Sequence, residues 1–168
     1  WGDQAGRDQS NGNLLGHGLV EALEDATNPM CVRPRRVAEP GLGPVAEVAC
    51  STYVTVAITV DGRVFTWGDS DGNALGHSRI TCHQPQWISA LRGQHMSHAS
   101  VSYTNGAVAS DQGRCYVWGG NCWEGGIAAG RNSTGPTEVA WGGVPSCYRC
   151  SSVALAFQHG YLIFRKQP

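Results

Sequence analysis

Cysteine and histidine pairs are the residues of this 168-residue chain whose spacing could support chemistry. Cys147 and Cys150 have the CxxC spacing of a redox pair or of half a zinc site, and His95 and His98 could form a local metal pair. A zinc site needs a second ligand pair with suitable spacing, and the sequence offers none. We therefore interpret Cys150 as a strand residue and both histidines as loop residues, and we predict neither a metal nor a cofactor.

Other polar clusters in the sequence favour a structural role over catalysis. Asp69–Asn73 is rich in oxygen ligands but lacks the glutamate and the spacing of a calcium loop, which favours a turn. His17 and His77 both follow a Leu-Gly pair, and this recurrence favours a role in the scaffold. The sequence shows neither paired carboxylates nor a phosphate-binding loop, and we predict a protein without enzymatic activity.

Composition argues against two classes of partner. The chain has 12 basic and 13 acidic residues, and this balance predicts no general attraction to nucleic acid or to anionic membranes. No apolar run approaches the roughly 20 residues of a membrane-spanning helix. Seven cysteines without regular pairing favour a reducing, intracellular setting over a disulfide framework.

The elements that position these residues come from an internal repeat. Pro34, Pro85 and Pro136 are each 51 residues apart, and Trp67-Gly68 and Trp118-Gly119 show the same step. A period of this size is typical of stacked supersecondary units, as in solenoids and propellers. We divide the chain into repeat units at approximately 1–66, 67–117 and 118–168.

Each repeat contains a predicted β-hairpin. Val54–Val60 is rich in β-branched residues, Asp61-Gly62 predicts a two-residue turn, and Arg63–Trp67 forms the return strand. One short strand before the hairpin and one that starts at the repeated proline bring each repeat to about four strands, as in a propeller blade. The other copies of the hairpin are predicted at Ala107–Trp118, with a turn at Asp111–Gly113, and at Val153–Phe164, with a turn at Gln158–Gly160.

These segments resemble the regulator of chromosome condensation repeat family. The match is carried by Val48–Ser51, Asp61-Gly62, Val64–Gly68 and Leu75–His77, although Ser51 replaces the usual glycine. The resemblance implies an all-β fold, a seven-bladed β-propeller of which this chain holds about three blades. It also implies a structural role for the residues at repeat positions, with the tryptophans packing between blades: Gly62, Trp67, Gly68, Gly113, Trp118 and Gly119.

The first repeat carries 15 extra residues between Trp1 and Pro34 compared with the later copies. Because insertions on a rigid scaffold often bind partners, we predict that the charged residues of this region do so, a tolerated surface loop being the alternative. We expect partner contacts in the loops at 3–13, 21–36, 69–77 and 121–131. The predicted protein-binding residues are Glu21, Glu24, Asp25, Arg33, Arg35 and Arg36.

The resemblance leaves three functions open. The first, which we take as the prediction, is a non-enzymatic protein-binding propeller scaffold within a larger protein or multi-subunit assembly. The second is a guanine nucleotide exchange factor for a small GTPase, the activity of the founding family member. The third is the substrate-binding propeller of a larger multidomain enzyme such as a ubiquitin ligase. In each case we expect protein partners, no direct nucleic acid and no membrane.

Overall fold

Antiparallel sheets follow one another along the chain. The computed structural model describes residues 2–3, 16, 30–31, 36–70, 72–120, 133–140, 144–156 and 160–167. In these residues it has twelve strands and a short 3-10 helix at Ser89–Leu91. The strands are β1 (Gly2–Asp3), β2 (Met30–Cys31), β3 (Val45–Cys50), β4 (Val54–Thr59), β5 (Val64–Asp69), β6 (Thr81–Trp87), β7 (Met96–Val101), β8 (Asn105–Ser110), β9 (Cys115–Gly119), β10 (Ser133–Glu138), β11 (Tyr148–Leu155) and β12 (Gly160–Lys166).

Over the described ranges the strands form four sheets. The first sheet is β1–β2, the second β3–β4–β5–β6, the third β7–β8–β9–β10 and the fourth β11–β12. In the second and third sheets each strand pairs with the next one along the chain, so both are antiparallel meanders. The leading strands β3 and β7 contact each other, as do β7 and β11. Stacked four-stranded meanders are the blades of a β-propeller, so the predicted fold class is confirmed.

The turn of the first hairpin differs from the prediction in its length. Thr59 donates its backbone N–H to Arg63 O (2.9 Å), and Gly62 N donates to Thr59 O (2.8 Å). Gly62 has φ +79°, whereas Asp61 keeps a negative φ. The loop is therefore three residues long, a type I turn that ends in a left-handed glycine, because a two-residue type I′ turn needs positive φ at both positions. Gly113, with φ +78°, ends the turn between β8 and β9 in the same way.

The fourth sheet corrects the position of the third predicted hairpin. The β11–β12 pairing is present, with Leu155 opposite Gly160. Cys150 N donates to Gly113 O (3.2 Å), which repeats the bond from Met96 N to Gly62 O (3.0 Å) at the start of the third sheet. β11 is thus a leading strand like β7, and β12 corresponds to β8. Phe164 therefore does not occupy the position of Trp118.

The hydrophobic core lies between the sheets. We call the buried cluster around Trp67 the upstream seam, the interface of the second and third sheets the middle seam, and that of the third and fourth sheets the downstream seam. β8 is buried along its whole length because Val108 joins the core of the middle seam while Ala107 and Ala109 join that of the downstream seam. The middle seam also buries Val56, Ile58, Leu75, Ile88, Met96 and Trp118.

Side chains also connect the leading strands across a seam. Glu47 of β3 accepts the backbone N–H of Ala99 in β7 at 2.7 Å, and its other oxygen lies 3.2 Å from His98 Nδ1. Ser100 Oγ of β7 accepts the N–H of Leu155 in β11 at 2.8 Å. These bonds satisfy edge N–H groups that no strand of their own sheet pairs with. Within the described ranges, no helix is long and apolar enough to cross a membrane.

Candidate interaction surface

The loop after Trp67-Gly68 holds the tryptophan of the next blade. Trp118 Nε1 donates to Ala74 O at 2.7 Å, and the side chain is 1% exposed. The loop is shaped by its own side chains, because Ser70 Oγ accepts the N–H of Ala74 at 2.6 Å and Thr66 Oγ1 donates to Leu75 O at 2.6 Å. A methyl group at Gly76 would lie 2.9 Å from the indole nitrogen of Trp118, so glycine permits this close approach.

The upstream seam has the same arrangement. A methyl group at Gly16 would lie 2.8 Å from Trp67 Nε1, and Gly16 follows Leu15 as Gly76 follows Leu75. Trp67 is buried with Leu42, Ala57 and Phe65. Gly16 and Gly76 thus each lie against a repeat tryptophan, Trp67 and Trp118 respectively.

This geometry changes the expectation for the loop at Asp69–His77. Ser70, Ala74, Leu75 and Gly76 are buried, so these four residues have no free surface for a partner, whereas Gly72 and Asn73 are partly exposed. His77 is half-buried, and burial lowers the pKa of its imidazole below the usual 6.5, with Arg79 adding to the effect. The loop serves packing between blades.

A nucleophile pattern in this loop was missed in the sequence. Gly68 to Gly72 reads Gly-Asp-Ser-Asp-Gly, which matches the GxSxG motif of hydrolases. That motif requires a strand, a sharp turn and then a helix, with the serine oxygen exposed. Ser70 instead is 2% exposed, and its oxygen accepts a backbone N–H of its own loop. Ser70 therefore shapes its own loop and does not serve as a nucleophile.

The second sheet bears a cleft of about 680 Å³, which we call the basic cleft. Its charged and aromatic lining consists of Glu39, Arg63, Phe65, Arg79, His83 and Trp87. Arg63 lies 5.4 Å above the Phe65 ring and is held by Asp61 (2.8 Å) and by Gly41 O (3.0 Å). His83 Nδ1 is buried without a hydrogen-bond partner among the described residues. The cleft thus combines two arginines with one carboxylate and two aromatic rings.

The predicted binding residues lie next to this cleft in the chain, and most of them fall outside the described residues. These are Glu21, Glu24, Asp25, Arg33 and Arg35. Arg36 is described and exposed, three positions before Glu39 of the cleft wall. The predicted loops at 3–13 and 121–131 also lie outside the described residues, apart from Asp3 in β1.

The histidine pair is divided between different partners. His98 faces Glu47, and His95 Nδ1 lies 3.6 Å from Asp111 while its Nε2 lies 3.3 Å from Val60 O. Both side chains are about half exposed, at 50% and 46%, but they belong to β7 and the residue before it rather than to a loop. Across the described ranges, no group of three or more His, Cys, Asp or Glu residues could hold a metal ion.

Two cysteines meet in the downstream seam. Cys115 of β9 and Cys150 of β11 are 0% and 2% exposed, and both belong to one buried cluster. The neighbouring Cys150 thiol and burial raise the pKa of Cys115, while the neighbouring Cys115 thiol lowers the pKa of Cys150. Cys147 is exposed and not part of this cluster.

Comparison with known proteins agrees with this architecture. Residues 61–108 match the regulator of chromosome condensation (RCC1) repeat family. Human WBSCR16 has a similar structure, with a TM-score of 0.69 over 83% of this chain and 36% of that protein at 22% identity. Yeast Prp20p, from Saccharomyces cerevisiae, also has a TM-score of 0.69, at 14% identity and over 34% of its chain. These likenesses show the propeller fold.

Sequence relatives carry the same repeats. The human E3 ubiquitin-protein ligase HERC2 is 35% identical over 78 residues, which is 46% of this chain and 2% of the ligase. The ultraviolet-B receptor UVR8 of Arabidopsis thaliana is 26% identical over 156 residues, which is 89% of this chain. Residues 61–108 thus match one repeat of this family, and the chain is similar over more of its length to the ultraviolet-B receptor and to propellers of this type. It spans about 34% of the receptor's length and a far smaller share of the ligase.

Proposed function

We propose that this chain is part of a protein-binding propeller scaffold without catalysis of its own. The observation that carries the proposal is the contrast between the seams and the basic cleft. At the seams, loops, tryptophans and edge N–H groups are engaged with each other, whereas the cleft presents charged and aromatic groups. Arginine and aromatic side chains are the residue types enriched in protein interfaces.

The proposed partner is a protein that presents an acidic segment. Arg33, Arg35 and Arg36 lead along the chain into the wall of the basic cleft at Glu39. Arg79 lines the cleft and is exposed, so it adds to the positive charge. Because Arg binds carboxylates with two parallel hydrogen bonds, this region suits aspartate and glutamate side chains. Glu21, Glu24 and Asp25 are proposed to add the opposite charge on the same insertion.

The test begins with the full-length protein recovered by native pull-down, with its stoichiometric partner identified by mass spectrometry. Calorimetry then compares this partner's affinity for the wild type and for the Arg33→Glu, Arg35→Glu, Arg36→Glu variant. Exposed charge pairs each contribute about 0.2–1 kcal/mol, so we expect a loss of about tenfold. The thermal midpoint should not change, because Arg36 is exposed and surface substitutions usually cost little stability.

A matched control uses the same change of charge elsewhere. Arg35→Glu with Arg36→Glu is compared with Arg165→Glu with Lys166→Glu on the exposed side chains of β12. A loss of affinity only in the Arg35→Glu, Arg36→Glu variant would support the proposed surface. Equal losses of affinity in both variants would indicate unspecific electrostatic attraction. Unchanged affinity in both would contradict the proposal that the insertion binds the partner.

A second candidate is the substrate-binding propeller of a ubiquitin ligase. It is favoured by the 35% identity with a segment of HERC2, which is itself named as a ligase. Ubiquitin transfer to the recovered partner by the full-length protein would support it, with a chain truncated to the propeller as the inactive control. Absence of transfer, with the partner still bound, would favour the scaffold.

A third candidate is nucleotide exchange on a small GTPase. Prp20p binds Gsp1p and histones, and its structure shares the fold of this chain. Release of a fluorescent guanine nucleotide from the GTPase, accelerated by the full-length protein, would support this candidate. We further propose an intracellular setting, since Cys50, Cys82, Cys115, Cys147 and Cys150 are free.

A further inference from the structure

The thiol pair of the downstream seam joins two blades. Cys115 lies in the third strand of the third sheet and Cys150 in the leading strand of the fourth. A backbone bond already holds β11 against the turn that precedes β9, because Cys150 N donates to Gly113 O at 3.2 Å. Both side chains belong to one buried cluster with Val117, Val139 and Val153.

The middle seam shows what these positions hold when no thiol is present. Val64 precedes Cys115 by 51 residues, and each directly follows the turn region in the third strand of its sheet. Met96 makes the backbone bond to Gly62 that Cys150 makes to Gly113. Val64 and Met96 are both buried in the core of the middle seam. Two apolar residues therefore suffice for packing here, and the downstream seam replaces both of them by cysteine.

We propose that Cys115 and Cys150 are a site of oxidative modification, at which a disulfide bond links the third and fourth sheets. The oxidant is a hydroperoxide. The Cys150 thiolate attacks the peroxide oxygen, which forms a sulfenic acid and releases water or an alcohol. The Cys115 thiol then attacks the oxidised sulfur, the S–S bond forms, and the sulfenic oxygen leaves as water. The two sulfurs supply the two electrons that reduce the peroxide.

A cleft gives a small oxidant a route to this pair. It has a volume of about 440 Å³ and lies between the third and fourth sheets, and Cys150 is part of its lining. Ser97, Ser110 and Ser152 also line it, so the route is polar. Hydrogen peroxide is close to water in size, whereas glutathione is far larger. We therefore expect peroxide to form the bond faster than oxidised glutathione.

The CxxC partner is less suited to Cys150 than Cys115 is. Tyr148 to Cys150 run as extended strand, and extended backbone advances about 3.3 Å per residue. The Cα atoms of Cys147 and Cys150 are then separated by about 10 Å, whereas a disulfide needs less than about 7 Å. Cys147 thus serves as the internal control for an exposed thiol.

The experiment treats the full-length protein with hydrogen peroxide and maps disulfides by mass spectrometry without reduction. The expected product is a peptide pair that contains Cys115 and Cys150, reversed by dithiothreitol. A loop of this length should raise the thermal midpoint by about 5–10 °C. The Cys147→Ser variant should give the same crosslink and the same shift.

The matched variant installs the residues of the middle seam. Cys115→Val with Cys150→Met should retain the reduced protein's midpoint and lose the response to peroxide, because Val64 and Met96 already pack in this way. A crosslink between Cys147 and Cys150 would overturn the proposal. Oxidation of Cys147 and Cys50 while Cys115 and Cys150 stay reduced would also overturn it. This outcome is measured on the wild-type protein, so it does not depend on whether the variant folds.

Discussion

The indole N–H of Trp118 is a buried donor with one defined acceptor. It reaches Ala74 O at 2.7 Å inside the middle seam, where the side chain is 1% exposed. A buried polar group without a partner costs free energy, so this bond fixes where the loop must lie. The ring adds apolar burial against Ile88 and Gly76.

Substitution of Trp118 separates these two contributions. Trp118→Phe keeps a ring and removes the donor, and we expect a loss of about 2 kcal/mol in the free energy of unfolding. Trp118→Ala also removes the ring, and we expect a loss of about 3–5 kcal/mol, as for Trp67→Ala in the upstream seam. Urea denaturation measures both. Equal losses for Trp118→Phe and Trp118→Ala would mean that the hydrogen bond dominates and the ring contributes little.

The sequence predicted the tryptophan positions better than it predicted what they contact. Recurrence of Trp67 and Trp118 indicated packing between blades, and both are buried. The acceptor loop was not foreseen, because a segment rich in Gly, Asn and Asp normally indicates an exposed turn. Its burial depends on Ser70 and Thr66, whose side chains satisfy the loop backbone internally. Hydrogen bonds of this kind leave no periodic signal in a sequence.

At the scale of the element, Gly119 controls how closely β8 and β9 approach. Its φ is +111°, and a methyl group there would overlap the carbonyl oxygen of Thr104. Gly68 repeats both features in the second sheet, against Tyr53 O. The backbone therefore requires glycine at positions 68 and 119, in addition to the tryptophan before each of them.

Gly93 provides a matched control for this requirement. It also has a positive φ, +82°, but a methyl group there would meet nothing within 4 Å. Gly93→Ala should therefore cost about 1 kcal/mol from backbone strain alone, whereas Gly119→Ala should cost about 3 kcal/mol or more. Denaturant unfolding of the two variants compares them directly. Similar losses would show that β8 and β9 can move apart without penalty.

The hairpins show the limits of local sequence signals. The Val54–Trp67 hairpin was predicted from β-branched residues around Asp61-Gly62, and the structure has it. Its turn was predicted one residue too short, because Asp-Gly fits two turn types and only the hydrogen bond from Gly62 to Thr59 distinguishes them. The last hairpin was predicted as the second and third strands of its sheet, whereas the structure has it as the first and second strands. The sequence of Val153–Phe164 fits either pair of strands.

At the scale of the whole molecule, stability is divided among the seams. Leu75 belongs to the core of the middle seam and Val153 to that of the downstream seam, with the third sheet between them. Repeat architectures are stabilised by each unit and its nearest neighbours, and mutations without shared contacts are additive.

A double-mutant cycle tests this division. Leu75→Ala and Val153→Ala should each destabilise the protein by about 1–4 kcal/mol, and the double variant should equal their sum within about 0.5 kcal/mol. Leu75→Ala combined with Trp118→Phe should deviate from additivity, because both act on the middle seam. Strong coupling between Leu75 and Val153 would show that the sheets respond as one unit.

The contact between a Leu-Gly loop and the tryptophan of the next repeat affects how a gene that encodes these repeats can gain further repeats. Each loop belongs to one repeat and the tryptophan that it holds belongs to the next, as Ala74 and Trp118 show. Any segment of one full period, wherever its ends fall, therefore carries one loop and one tryptophan. Tandem duplication of such a segment creates a new blade whose two boundaries match those already present. Recombination between repeats needs no compensating mutation at either side, so blade number can change in a single genetic event.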